Sequence, residues 1–318
     1  MTRKLFSVLL CAFALLLLMG AGEAPQEQPA AIVAEEESAA DPVGEALETN
    51  PPAGAVSAQA ASASPIDLAE DTESGLTIDG EHAPAEVDLT LRDGVSYVAL
   101  APMAQVLDPT AQVAWDGGSG TVAVTTGALS LTAQVGQLYL EANGRYLYLS
   151  EGVQLDQGSV MVPLWAVAEA FDADLGWDAA EGVVTVTRGS GAIQSGDSYY
   201  DQEDLFWLSL VIDAESGNQP LEGKMAVAIV VMNRVASPIY PDTVEGVLAQ
   251  KNQFSTYRSG GLAENSPNAS SVIAAKLVLD GGVVEEVAEA LYFDSSSSSW
   301  AARNRECIAV IGGHRFYN

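Results

Sequence analysis

One short pattern occurs twice between residues 97 and 186, and it restricts how that stretch can fold. Tyr97-Val98-Ala99-Leu100, Met103-Ala104-Gln105-Val106-Leu107 and Val113-Ala114-Trp115-Asp116 reappear as Met161-Val162-Pro163-Leu164, Val167-Ala168-Glu169-Ala170-Phe171 and Leu175-Gly176-Trp177-Asp178. Each copy runs on into an alternating segment, Thr121-Val122-Ala123-Val124 or Val183-Val184-Thr185-Val186, with the period of a strand that buries one face. The repeated unit is strand, short helix, Trp-Asp strand, turn, strand. Between the copies, residues 129–135 and 137–149 read as further strands around Asn143-Gly144, a pair suited to a tight hairpin turn. The pattern predicts an α+β domain with an internal duplication over 76–188. Trp115, Trp177 and Trp165 offer faces for stacking on a sugar. Two of them hold equivalent places in the copies, which favours core packing instead.

From residue 203 the period becomes helical. Leu205, Leu208 and Ile212 share a stripe, and Glu215 falls on it three residues later. Gly217 suits a helix end, Asn218 or Gln219 before Pro220 a cap and first turn, and Val227, Val230, Val231 and Arg234 one side of the next helix. Helices are expected over 203–216, 220–236, 243–250 and 269–280, the last ended by Gly281-Gly282, with strands at 291–293 and 307–311. A carboxyl group at the end of an apolar stripe is partly desolvated, which raises its pKa as a general acid requires. The plain alternative for Glu215 is a solvated or ion-paired charge near a helix terminus.

The order of motifs here resembles the catalytic domain of the SleB/CwlJ family of spore-cortex and cell-wall hydrolases. The residues that carry the resemblance are Ala214-Glu215-Ser216-Gly217, Glu222-Gly223-Lys224-Met225-Ala226-Val227-Ala228 and Met232-Asn233-Arg234-Val235. They are followed by Ser237-Pro238 with Tyr240-Pro241 and Thr243-Val244, Gln253-Phe254-Ser255, Leu291-Tyr292-Phe293, Ser299-Trp300 and Ile311-Gly312-Gly313-His314-Arg315-Phe316-Tyr317. The resemblance covers roughly 205–318. It implies a mainly helical domain at 203–318 with a lysozyme-like or lytic-transglycosylase-like fold, Glu215 as acid and base, and no cofactor or metal. Gln253, Ser255 and Tyr292 are then hydrogen-bonding groups for sugars, with Phe254, Tyr292 and Trp300 as stacking faces. Glu222 and Asp294 complete the candidates for substrate binding. Glu222 reads equally as a charge favoured by a helix N-terminus. Asp213 is a poor partner acid, because two residues along a helix it points away from Glu215. His314 is read as structural. Two departures stand out: Ser216 where the family often has Arg, expected to affect how the acid is oriented, and the run Ser295–Ser299, expected to loosen one wall of the cleft. The repeat at 76–188 is similar to the copper amine oxidase N-terminal, or stalk, domain of exported Gram-positive proteins. That name implies no copper here, since a copper site needs imidazole or thiolate clusters and this region offers His82 alone.

Residues 1–24 combine Arg3 and Lys4, an apolar run from Leu5 to Met19 and small residues around Gly22 and Ala24, the pattern of a secretory signal peptide. Cys11 sits inside the apolar run, which argues against a lipidated cysteine, and cleavage would leave Cys307 as the sole thiol. Residues 25–75 are rich in Ala, Glu, Pro and Ser and read as a disordered acidic linker. Residues 189–202 read as a second, polar linker between two domains that move independently. The formal net charge is -30, and no Lys or Arg occurs between Leu5 and Leu91. Repulsion from phosphate excludes a nucleic-acid partner.

These features predict an exported enzyme of the cell envelope, in the spore cortex or wall of a Gram-positive bacterium, that cleaves peptidoglycan glycan strands. Both a lytic transglycosylase and a muramidase-like hydrolase fit the residues. The alternative is a non-catalytic wall-binding or surface protein with a degenerate hydrolase domain. The stalk-like domain is expected to bind wall, self-associate or act as a spacer.

Overall fold

The computed structural model describes residues 75–251 and 253–318. The predicted signal peptide and all but the last residue of the predicted acidic linker lie outside the described residues.

The chain opens with β1 (Leu76–Ile78) and β2 (Glu81–His82), then β3 (Thr90–Arg92) and β4 (Val95–Ala99), α1 (Leu100–Leu107), β5 (Gln112–Asp116) and β6 (Thr121–Thr125). It continues through β7 (Ser130–Gln134), β8 (Tyr139–Ala142), β9 (Arg145–Tyr148), β10 (Gln154–Asp156), β11 (Ser159–Pro163), α2 (Leu164–Ala170), β12 (Asp174–Asp178) and β13 (Val183–Thr187). Strand, helix, strand, strand thus occurs as β4-α1-β5-β6 and as β11-α2-β12-β13. The first strands of the two series pair antiparallel, with Val98 opposite Val162, in a sheet ordered β10-β11-β4-β3. The other two sheets run β12-β13-β1-β2 and β5-β6-β7-β8-β9. Alternation along β6, β7 and β8 sends Val122, Val124, Leu131 and Leu140 into a core shared with Leu100, Met103, Leu164 and Val167. Asn143 and Gly144 both take positive φ, 49° and 79°, as the predicted two-residue hairpin demands.

Core packing does not hold for the tryptophans. Trp115 is 52% and Trp165 41% exposed, and Trp177 is only partly covered. Trp115 and Trp177 both lie on edge strands of their sheets, β5 and β12. What recurs with a structural task is the following Asp. Asp116 accepts from the Gly118 N–H and the Ser119 hydroxyl, and Asp178 from the N–H groups of Ala180 and Glu181, closing each hairpin turn.

The segment predicted to be a polar linker is packed. Ile193 and Tyr200 are buried, α3 (Gly196–Tyr199) forms a single turn, and the Gly196 N–H bonds to the Asn143 carbonyl at the hairpin tip. The second domain follows with α4 (Gln202–Ser216), α5 (Leu221–Ala236), α6 (Val244–Leu248), α7 (Ser255–Arg258), α8 (Ala269–Leu279), β14 (Tyr292–Asp294), α9 (Trp300–Asn304), β15 (Cys307–Ile311) and β16 (His314–Tyr317). Its sheet runs β14-β16-β15. Asp201 caps α4 by accepting from the N–H groups of Glu203 and Asp204. Pro220 is itself the cap of α5. Gln219 reaches instead to the β15–β16 turn, where its Oε1 accepts from the Gly313 N–H at 2.7 Å. Residues Met225 to Val231 are buried without a break, so α5 is the central helix, wrapped by α4, α6 and α8.

The two domains share a buried contact, contrary to the expectation of independent movement. β9 lies against α8. The Arg145 Nε donates to both oxygens of Asp280 at 3.2 and 3.1 Å, and the Tyr200 hydroxyl donates to the same carboxylate at 2.6 Å. The Arg145 guanidinium also stacks on Tyr199, 3.6 Å from the ring centroid. Gly281 takes φ +88°, and Gly282 passes so close to Tyr148 that a Cβ would lie 2.7 Å from its side chain. These two glycines end α8 and let the domains approach.

Candidate active site

Glu215 projects from the last turn of α4, half-buried, toward α7. Burial raises its pKa above the ordinary glutamate range, and a hydrogen bond from the Thr256 hydroxyl to Oε1, at 3.1 Å, opposes this only in part. The carboxylates in contact with its neighbours are engaged elsewhere. Asp213 accepts from the Asn268 N–H and the Ser271 hydroxyl, both at 3.0 Å, and ties α4 to the start of α8. Glu245 accepts from the Tyr257 hydroxyl at 2.9 Å. The result is a protonatable carboxyl group with a hydroxyl donor and, among the described residues, no carboxylate bonded to it, which can deliver a proton and take one back.

Gln253 and Ser255 before Thr256, and Arg258 and Ser259 after it, line a depression of about 450 Å³. Gln253 connects this depression to an aromatic group. Its Oε1 accepts from Arg234 Nη1 at 3.0 Å, and the Arg234 Nε donates to the Leu291 carbonyl at 2.8 Å, next to Tyr292. The Tyr240 hydroxyl donates to the Tyr292 hydroxyl at 3.2 Å. Burial, reinforced by that bond, pushes Tyr240 up to about 12. Trp300, 46% exposed, lies 5.8 Å from Tyr292 between ring centroids, and the Arg305 guanidinium covers both rings at 5.0 and 5.4 Å. Tyr292 is thus held between the Arg234 and Arg305 guanidiniums, and Trp300 is the exposed aromatic of the group, able to stack on a sugar with the face that Arg305 leaves open.

Comparison with known proteins finds two families along the chain. A model of the Cell Wall Hydrolase family matches residues 218–317, and one of the Copper amine oxidase N-terminal domain matches residues 77–186. The chain carries a cell wall hydrolase domain. The spore cortex-lytic enzyme of Bacillus cereus is 34% identical over 121 residues, 37% of this chain and 45% of that protein. That of Bacillus subtilis is 31% identical over 120 residues, 37% of this chain and 38% of the relative. The chain thus spans less than half the length of these curated relatives. Among solved structures, the catalytic domain of the germination-specific lytic transglycosylase SleB from Bacillus anthracis is 30% identical. It aligns over 38% of this chain and 98% of that one, with a TM-score of 0.34. Glu215 lies three residues before the span matched by the family model.

Within the hydrolase domain, several predicted site residues take other places. Phe254 is 3% exposed and packs in the core, its ring centroid 6.3 Å from that of Phe293, so it offers no face to a sugar. Glu222 accepts from the hydroxyl of Tyr148 at 3.0 Å. Because Tyr148 lies on β9, this bond belongs to the contact between the domains, and burial together with it raises the Tyr148 pKa. Asp294 adjoins Tyr292, but its Oδ1 accepts the Ser296 N–H and closes a turn. The serine run is tied down locally rather than loose: the Ser298 N–H bonds to the Ser296 hydroxyl, and Ser299 caps α9. Ser216 is fully buried and donates back to the Ile212 carbonyl at 2.8 Å, so it does not orient the acid. His314 is buried between Phe293 and Phe316, and burial lowers its pKa. The site residues missed from the sequence are Thr256, Arg234, Tyr240 and Arg305. Thr256 directly follows the Gln-Phe-Ser segment, and Arg234 was visible as a charge on an apolar stripe.

Proposed function

We propose that this chain is an exported cell-envelope enzyme that cleaves peptidoglycan glycan strands, with Glu215 as its single acid and base. The observation that carries the reading is Glu215 itself: a half-buried carboxyl with a raised pKa, bonded to Thr256 beside a depression lined by Gln253 and Ser255, and with no carboxylate hydrogen-bonded to it among the described residues. Its neutral form protonates the glycosidic oxygen as the bond to the muramoyl C1 breaks and oxocarbenium character develops. The carboxylate then takes the proton from the C6 hydroxyl of the same unit, whose oxygen closes on C1 to leave an anhydro ring. A two-acid hydrolysis would instead need a second carboxylate about 5 to 10 Å away across the scissile bond. Glu222 and Asp294 each give one oxygen to a structural bond, Glu222 to Tyr148 in the domain contact and Asp294 to the Ser296 N–H, which ties both side chains to the scaffold. Gln253, Ser255, Tyr292 and Trp300 bind the glycan, and the names of the relatives point to spore cortex as a substrate.

The test is release of soluble fragments from purified cortex and from vegetative walls by the parent and by Glu215→Gln, with Glu222→Gln alongside. Loss of release in the first variant and retention in the second is expected. Undiminished release by Glu215→Gln would overturn the assignment, and no release by the parent would favour a wall-binding protein without activity.

A further inference from the structure

Arg234 ends α5 with its side chain buried, 4% exposed, and none of the ion pairs among the described residues includes it. A buried guanidinium without a carboxylate is unfavourable unless its donors are satisfied in another way. In a chain of net charge -30, carboxylates are not scarce, so the arrangement calls for a reason. Arg234 gives one donor to the Leu291 carbonyl and one to Gln253 Oε1. Its guanidinium carbon lies 5.4, 5.6 and 5.5 Å from the ring centroids of Tyr240, Phe254 and Tyr292, a threefold cation–π setting.

Guanidinium carries donors only. The Gln253 amide must therefore turn its oxygen to Arg234, which leaves its NH2 on the other side of the planar group, and Gln253 lines the depression beside Ser255. We infer that Arg234 is a positioning residue that locks the Gln253 amide with its NH2 toward the depression, making Gln253 a selector for an acceptor oxygen on the sugar: the carbonyl of an acetamido group. A sugar hydroxyl both donates and accepts, and it would tolerate either end of an amide. A carbonyl only accepts, so a fixed amide discriminates for it. The same guanidinium holds the Tyr240–Tyr292 pair, which places the stacking surface and the amide in one frame. This inference rests on the glycan-cleaving reading and deepens it.

The experiment uses the full chain carrying Glu215→Gln, so that binding is measured without cleavage. Calorimetry compares a chito-oligosaccharide with a cello-oligosaccharide of equal length, neutral sugars that differ by an acetamido group in place of a hydroxyl. The chito-oligosaccharide is expected to bind about tenfold more tightly, the scale of one hydrogen bond made or lost. Added Gln253→Glu keeps an acceptor for Arg234 but turns an oxygen to the sugar. It should retain or raise the melting temperature while the preference falls to less than about threefold. Gln253→Met removes the donor without adding charge and should lose the preference too. Arg234→Lys, which keeps the charge but cannot hold both acceptors in one plane, should weaken it. An unchanged preference in both Gln253 variants, or no binding of either sugar, would overturn the inference. Acetamido preference with no wall cleavage by the parent would leave it standing and overturn the catalytic role of Glu215 instead.

Discussion

The buried contact between the domains makes a quantitative prediction for Asp280→Ala. The side chains of Arg145 and Asp280 are 8% and 1% exposed, and Asp280 also accepts from Tyr200. Removing one member of a buried ion pair destabilises by about 3 to 5 kcal/mol, because the other charge stays buried. The Tyr200 hydroxyl loses its acceptor as well, a further 1 kcal/mol or so. Glu169 offers partial relief at 3.4 Å from Arg145, but its side chain is 49% exposed, and such a contact contributes under about 1 kcal/mol. The net expectation is a loss of about 3 to 6 kcal/mol, or roughly 6 to 24 °C in melting temperature for a folded region of this size. Urea unfolding of the full chain, followed by tryptophan fluorescence and circular dichroism, reads it. The parent should unfold in one transition by both probes, and Glu169→Ala should lie within about 1 kcal/mol of it. Two separate transitions in the parent, or a loss below about 1 kcal/mol in Asp280→Ala, would refute the claim that the domains stabilise each other.

Three other predictions follow from the site. Burial raises the Glu215 pKa, so the folded chain holds this proton more tightly than the unfolded one. As pH rises through the unfolded value, the unfolded chain ionises first and stability falls, levelling off above the folded value. Glu215→Gln should therefore be more stable than the parent at neutral pH, with the advantage vanishing in acid, and parent activity should decline as pH rises through the raised pKa. Phe254→Ala should lower stability by about 3 to 5 kcal/mol as a core truncation, whereas Trp300→Ala should leave unfolding nearly unchanged and weaken glycan binding, measured by calorimetry. Tyr148→Phe should lower stability by about 1 kcal/mol without changing cleavage, because Glu222 serves the domain contact.

The helices of the second domain were legible because their apolar stripes and caps are local signals. The predicted 203–216 corresponds to Gln202–Ser216, and 269–280 to Ala269–Leu279. Asn143-Gly144 was legible for the same reason. The contact between domains was hidden, since residues 189–202 have the composition of a loop while their backbone groups find partners far along the chain, such as Gly196 with Asn143. Equivalence of Trp115 and Trp177 misled, because the recurring constraint is the turn-closing Asp and the strands lie at sheet edges. The stripe and the ordered motifs singled out Glu215 as a candidate, yet the bond of Tyr148 to Glu222 depends on a strand more than seventy residues away, which no local pattern records.

The most direct test of the central claim is the chemistry of the new glycan ends. Peptidoglycan digested with the full chain and analysed by mass spectrometry should yield anhydromuramic ends, and these should disappear with Glu215→Gln. Reducing muramic ends, or anhydro ends that persist in the variant, would contradict a single glutamate acting as both acid and base.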